Sequence, residues 1–217
     1  MKVAFVTVGQ SPRVDLVPEL LSSMRSTIDH DEFGALDDLT PREIAAMAPV
    51  GDEPRLCTRL RDGSQVITAK GQTAERLNAI FTRLDAAGYG LIVLLCTGYF
   101  RTLRCDGLFI ESQRLVDGFV AAMAHGGKKV GVMVPLAEQI AEHDAAAAGY
   151  PVAAAAHASP YSGNRLEEAA RELSGVDLIV MHCMGYNEDM RRRVAEASGK
   201  PAVLSRRVIA AGVDQFV

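Results

Sequence analysis

The chain has no tryptophan, and its few Phe and Tyr residues make up only 6% of the sequence. Any core must therefore be built mainly from aliphatic side chains. No apolar run approaches the roughly 20 residues that a membrane-spanning helix requires, so no membrane partner is expected. Met1-Lys2 leads directly into VAFVTV, which is too short and too β-branched for a signal peptide, and the expected compartment is the cytoplasm. The formal charge is −4 and the Lys and Arg residues are scattered, so nucleic acid is not an expected partner. Cys57, Cys96, Cys105 and Cys183 form no Cys-x-x-Cys pair, and His30, His125, His143 and His157 share no ligand spacing. The cysteines are expected as thiols, and neither a metal site nor a disulfide framework is expected. The loop GQSPR after the first apolar run has one glycine where a dinucleotide fingerprint needs three, so no nicotinamide cofactor, or any other, is expected.

What is present is an alternation of strand and helix patterns. KVAFVTV (residues 2–8) reads as a buried parallel strand, and GQSPRVDLVPELL as a loop opening into a helix, with Asp15 able to cap it. In LTPREI (39–44), Thr40, Pro41 and Glu43 spell a capping box. LCTRLRDGSQVITA alternates on both sides of Asp62-Gly63, a tight hairpin signal. Leu77, Ile80, Phe81 and Leu84 form one helical stripe that Gly88 is placed to terminate. The pattern then restarts. KKVGVMVP (128–135) echoes the first strand, the run Ala145 to Ala156 reads as a helix end, a turn and a short strand, and a helix capped by Asn164 leads to a further strand. The expected fold is α/β, with two pseudo-symmetric lobes, each a mostly parallel sheet flanked by helices. Residues 1–115 form the first lobe, completed by 201–217, and 116–200 form the second.

Each half ends one strand with the same tetrapeptide pattern. GLIVLLCTGYF (90–100) and VDLIVMHCMGYNEDM (176–190) both place Cys-x-Gly-Tyr after an apolar run. Parallel sheets bind ligands at the carboxyl ends of their strands, and a thiol there lies near the N–H groups of the following segment, which pull its pKa down. Two such thiols facing one another can act as an acid/base pair on a single carbon. Cys96 and Cys183 are therefore the candidate catalytic residues. Thr97, Gly98, Tyr99, Met184 and Gly185 are the candidate substrate contacts around them, and Gln10, Ser11 and Arg13 a candidate carboxylate cradle. A small carboxylate is the expected ligand, and a homodimer is compatible with the sequence. Cys57 and Cys105 are expected away from this cleft, His182 packed on the opposite face of its strand, and Glu111 with Arg114 as an ion pair across one helical turn. Arg13 is balanced between the cradle and a surface pair with Asp15.

Paired cysteines in matched α/β halves resemble the cofactor-independent aspartate/glutamate/hydantoin racemase superfamily, and Cys183-Met184-Gly185 is similar to the second cysteine segment of its hydantoin racemase branch. TVGQSPR (7–13), LTPREI (39–44), LRDGSQV (60–66), LFIESQRL (108–115), VGVMVPL (130–136), MHCMGY (181–186) and PAVLSRRV (201–208) together resemble the AroM family over essentially the whole chain. The superfamily resemblance implies two-thiol proton transfer on a small carboxylate. Its racemases usually carry Cys-Asn-Thr and Gly-Cys-Thr where this chain has Cys96-Thr97-Gly98 and His182-Cys183-Met184, so it does not imply an amino-acid substrate. Three readings stay open: a racemase, epimerase or isomerase; a carboxylate sensor without turnover; and a lyase or decarboxylase using one thiol.

Overall fold

The computed structural model describes residues 1–142 and 148–217. His143 and the start of the alanine-rich run, 145–147, lie outside the described residues. In chain order the elements are β1 (Lys2–Thr7), α1 (Val17–Ser22), β2 (Asp29–Gly34), α2 (Pro41–Ala46), β3 (Arg55–Arg59), β4 (Gln65–Ala69), α3 (Lys70–Ala87), β5 (Leu91–Leu94), β6 (Phe109–Glu111) and α4 (Ser112–Met123). They continue with β7 (Val130–Val134), α5 (Glu138–Glu142), β8 (Val152–His157), α6 (Leu166–Glu172), β9 (Leu178–Met181), α7 (Glu188–Ser198), β10 (Ala202–Leu204) and α8 (Ser205–Val213).

Two four-stranded sheets result, ordered β2-β1-β5-β6 and β8-β7-β9-β10, with every pairing parallel. The chain builds both by the same route: a central strand, its neighbour on one side, its neighbour on the other, and then the far edge. Alternate side chains of each strand enter different cores, as pleating requires. Val3, Phe5, Leu91 and Val93 of the first sheet share one core with Val130, Val132, Leu178 and Val180 of the second, and residues of α1, α4 and α8 fill the space between. Ala4, Val6, Ile92 and Leu94 pack instead on Leu77, Phe81 and Leu84 of α3. Ile179 and Met181 pack on Ala169 and Val194 of α6 and α7 and on Leu173, which follows α6. No helix among the described residues is long and apolar enough to cross a membrane.

Local signals are honoured where their geometry is self-contained. The capping box forms, with the Glu43 N–H donating to Thr40 Oγ1 at 3.3 Å and the Thr40 N–H to Glu43 Oε2 at 2.8 Å. Antiparallel β3 and β4 turn at Gly63, whose φ of 90° favours glycine, and α3 ends on left-handed Gly88. Elsewhere the chain departs from the sequence reading. Leu16, not Asp15, occupies the N-cap of α1, because the Asp15 carboxylate is taken by Arg13. Arg165, not Asn164, precedes α6 and reaches forward to Glu168 and Glu172. The segment 201–217 does not join the first sheet. Its strand β10 pairs with β9, completing the second sheet, and only α8 returns to pack on α1 and α4.

Phe81 is fully buried between α3 and the first sheet, its ring 5.0 Å from that of Phe109. Phe81→Ala should therefore cost about 3 to 5 kcal/mol. The expected result is a lower urea midpoint at unchanged slope.

Candidate active site

The two cysteine turns are built alike. Beyond β5 and β9 the chain folds back on itself, so that the Cys96 N–H donates to Leu94 O at 2.9 Å and the Cys183 N–H to Met181 O at 3.1 Å. The same two carbonyls also accept from serine hydroxyls at the heads of α4 and α8, Ser112 and Ser205. Each sulfur then accepts from the N–H two residues further on: Gly185 to Cys183 Sγ at 3.3 Å, and Gly98 to Cys96. At position 185 crowding requires glycine. A Cβ on Gly185 would run into the Tyr161 ring and Pro160, and one on Gly98 would press on Leu56. This local economy explains why Cys-x-Gly occurs twice.

Both sulfurs border one cavity of about 40 Å³, walled also by Val8, Arg13, Thr58, Thr97, Tyr161 and Met184. That is close to the roughly 30 Å³ share of one liquid water. The hairpin β3–β4 closes one side and is fastened across to the second lobe. Arg55 pairs with Glu138 at 3.2 Å, Gln139 Nε2 donates to Arg55 O at 3.3 Å, and Ser159 Oγ to Gln65 Oε1 at 2.6 Å. Beside it lies a larger cleft of about 900 Å³ whose walls include Lys70, Tyr99, Arg101 and Arg114.

Arg13 is 4% exposed and belongs to both roles the sequence left balanced. It forks onto Asp15 with two 2.9 Å bonds, and it also donates to Thr7 Oγ1 at 3.0 Å and across the lobes to Tyr161 Oη at 3.1 Å. Burial opposes its charge, but Asp15 and Tyr161 more than offset this, so Arg13 stays protonated. A guanidinium has five N–H donors and these bonds use four, and the side chain lines the cavity. Tyr161, which sequence reasoning missed, lies 3.9 Å from Cys183 Sγ. Its oxygen accepts from Arg13, so its own proton is directed to the sulfur, and burial first, then Cys183, holds that proton on the phenol. Only the tertiary path of the loop preceding α6 brings it here.

The other candidates separate. Thr97, Gly98, Met184 and Gly185 stay with the thiols. Gln10 and Ser11 do not: Gln10 bridges Leu36 O and the Arg61 N–H, while Ser11 donates by backbone and hydroxyl to Asp37 at 2.7 and 2.6 Å. Tyr99 turns away to hydrogen-bond buried Asp117. His182 packs on that same side, with Tyr150 Oη 3.0 Å from its Nε2 and Gln113 Nε2 3.4 Å from its Nδ1. Glu111 and Arg114 form the expected ion pair at 2.6 Å. Cys105 lies apart, hydrogen-bonded to Asp85 behind α3. Cys57, however, does not lie apart. With Leu56 and Thr58 on either side of it, Cys57 lines the cavity as a third thiol, because the hairpin folds over the cleft. Its neighbour Thr58, 1% exposed and also a wall of the cavity, has a hydroxyl with no hydrogen-bond partner. Among the described residues no group of three His, Cys, Asp or Glu side chains is placed to hold a metal ion.

The expected lowering of the thiol pKa values is reversed. Burial and the neighbouring Cys183 push Cys96 up to about 12, against the opposing pull of the Gly98 N–H, Lys70 and Arg13. Burial also raises Cys183, opposed by the Gly185 N–H, Arg13, Tyr161 and Arg206. Desolvation by the surrounding protein outweighs local dipoles here. At rest both thiols are neutral.

Comparison with known proteins adds the following. The family profile described as AroM protein matches residues 3–217. No curated protein matches the sequence. Among solved structures, Picrophilus torridus aspartate racemase aligns with a TM-score of 0.62 at 12% identity, over 99% of this chain and 94% of its own. The maleate isomerase Iso from Pseudomonas putida S16 aligns at 0.58 and 12%, over 98% and 92%. An arylmalonate decarboxylase aligns at 0.57 and 12%, over 100% and 93%. At such identities these likenesses establish the fold, that of the Asp/Glu racemases.

Two measurements follow from the thiol environment. In native protein at pH 8, iodoacetamide should label all four thiols more slowly than in urea, because burial raises each of them, with part-exposed Cys96 and Cys105 ahead of buried Cys57 and Cys183. Labelling of native Cys96 as fast as in urea would contradict the desolvated setting described above. Because folded Cys96 keeps its proton to about pH 12 while an unfolded thiol loses it near 8.5, its contribution to stability is complete below about pH 8.5 and is lost as pH rises toward 12. Urea midpoints under reducing conditions should fall across that window, and fall less in Cys96→Ala.

Proposed function

The chain belongs to the AroM family, and on that premise we propose that it is a cofactor-independent racemase, epimerase or isomerase of a small carboxylic acid, with Cys96 and Cys183 as its acid/base pair. The observation that carries this reading is the equivalence of the two Cys-x-Gly turns, which present two sulfurs, each backed by an N–H, to one cavity. Arg13 supplies a fixed positive charge with one N–H to spare, and the unpartnered Thr58 hydroxyl supplies a further polar contact for a carboxylate. The cavity is small, so admission of the substrate requires the β3–β4 hairpin to lift, and its return excludes water.

The reactive form carries one proton on the pair. Cys183 loses its proton to solvent before closure, and its thiolate is held by the Gly185 N–H and the Tyr161 hydroxyl. It then removes a proton from the carbon next to the substrate carboxylate, and the electron pair delocalises into that carboxylate beside Arg13. Cys96 delivers its proton to the opposite face. The pair ends with its protonation reversed, which is the starting point for the reverse direction.

A second reading is favoured by one asymmetry. Four groups favour the Cys183 thiolate, the Gly185 N–H, Arg13, Tyr161 and Arg206, where Cys96 has three, the Gly98 N–H, Lys70 and Arg13. A single-thiol decarboxylation, in which carbon dioxide departs and one thiol protonates the resulting carbanion, needs no second base.

Deuterium exchange separates the readings. With a panel of small mono- and dicarboxylates in D₂O, an isomerase should wash solvent deuterium into the substrate, and Cys96→Ala and Cys183→Ala should each reduce interconversion by at least about a hundredfold, the lower range for loss of a general acid or base. Carbon dioxide release that survives one of the two replacements would establish the lyase instead. A carboxylate that raises the melting temperature without exchange or product would mark a binding protein and overturn both.

A further inference from the structure

Arg206 is 1% exposed, and its Nε has no hydrogen-bond partner. Holding a cation there is costly, and its other contacts show where its charge is directed. Nη2 donates to Met184 O at 2.7 Å and to Gly185 O at 3.1 Å, while Nη1 donates to Asp15 O at 3.2 Å and to Glu19 Oε2 at 2.9 Å. The Met184 carbonyl belongs to the same peptide group as the Gly185 N–H, and that N–H donates to Cys183 Sγ. A guanidinium on the oxygen of a peptide polarises it and strengthens its N–H as a donor.

The first lobe offers the comparison within the molecule. Ser112 and Ser205 occupy matched places, and the residues after them are Gln113 and Arg206. Gln113 is neutral and turns to Asp117 and His182. Thus a buried cation backs the Cys183 turn, while the matched Gln113 is neutral and engaged elsewhere. We propose that Arg206 is the positioning residue that makes Cys183, rather than Cys96, the thiol that ionises first, acting through the Met184–Gly185 peptide.

The groups facing Cys183 from the surrounding elements are Arg13 with its partner Asp15, Cys57 from β3, Cys96, and Tyr161; Tyr186 and His182 lie in its own segment, the His182 ring turned to Tyr150 and Gln113, and Glu19 neutralises Arg206 from behind. Arg13 bears on both cysteines and does not discriminate between them. Lys70 bears on Cys96 from the wall of the larger open cleft, where solvent access screens its field. Arg206 acts from a dry position.

The inference rests on Cys183 as the reacting base, but it is tested without turnover, so its failure and that of the isomerase reading are distinguishable. The rate of Cys183 alkylation by iodoacetamide is followed against pH by mass spectrometry in the full chain, with Cys105 as internal reference. Arg206→Met should raise the Cys183 midpoint, giving roughly tenfold slower labelling at a fixed pH below it, the effect of about one pKa unit. Cys105 should not move. Glu19→Gln removes the neutralising charge while keeping a side chain that accepts a hydrogen bond. It should lower the Cys183 midpoint, and it decides the matter if Arg206→Met fails to fold. An unchanged Cys183 midpoint in folded Arg206→Met, an equal shift of Cys96 and Cys183, or an unchanged or raised midpoint in Glu19→Gln would overturn the assignment.

Discussion

Two strand carbonyls, those of Leu94 and Met181, hold the site in place. Each accepts from the cysteine N–H two residues on and from the serine that starts the helix after the sheet's last strand. Such a carbonyl buried at a strand end must be satisfied. Satisfying it in this way ties three elements together: the strand, the cysteine turn and the following helix. The sulfur is then fixed by the backbone, with no dependence on the rotamer of a long side chain. Because the two sheets are wound by the same route, the arrangement occurs twice and the thiols meet at the carboxyl ends of both.

Against this stands the cost of dryness. A cavity of about 40 Å³ strips water from the thiols and drives their pKa values up, the opposite of what strand-end position alone suggests. The two buried cations that favour a thiolate are each neutralised elsewhere: Arg13 by Asp15, and Arg206 by Glu19. Each cation also crosses between the lobes, Arg13 to Tyr161 and Arg206 from α8 to α1. The charge that tunes the site is thus part of what holds the halves together, in addition to the apolar core they share.

The hairpin β3–β4 breaks the symmetry. It contributes Leu56, Cys57 and Thr58 to one wall, and its fastenings to the second lobe are polar and lie near the surface. Polar contacts of this kind are what the proposed lifting of the hairpin would break, while the thiols sit on strand ends. Gly9 shows how closely the hairpin lies on the first loop: a Cβ there would collide with Thr58 and the Arg59 carbonyl.

The sequence by itself determined whatever depends on near neighbours. Strand runs, the Thr40–Glu43 box, the Gly63 turn, the Gly88 cap and the repeated Cys-x-Gly turns are all local, and each is where the residues place it. The internal repeat carried the fold class, because two matched β-α-β patterns have few ways to bury their strands. Tertiary structure decided the rest. Ser11 and Gln10 are close in sequence to Arg13, yet Asp37 and Leu36 draw them away. Cys57 and Tyr161 reach the cavity only because a hairpin and a loop fold over it, and β10 joins the second sheet because β9 offers the open edge. Arg206 reads as an ordinary basic residue beside Arg207 until packing buries it against two carbonyls. Desolvation, which set the thiol acidity, is a sum over neighbours from many elements and has no signature in the order of the chain.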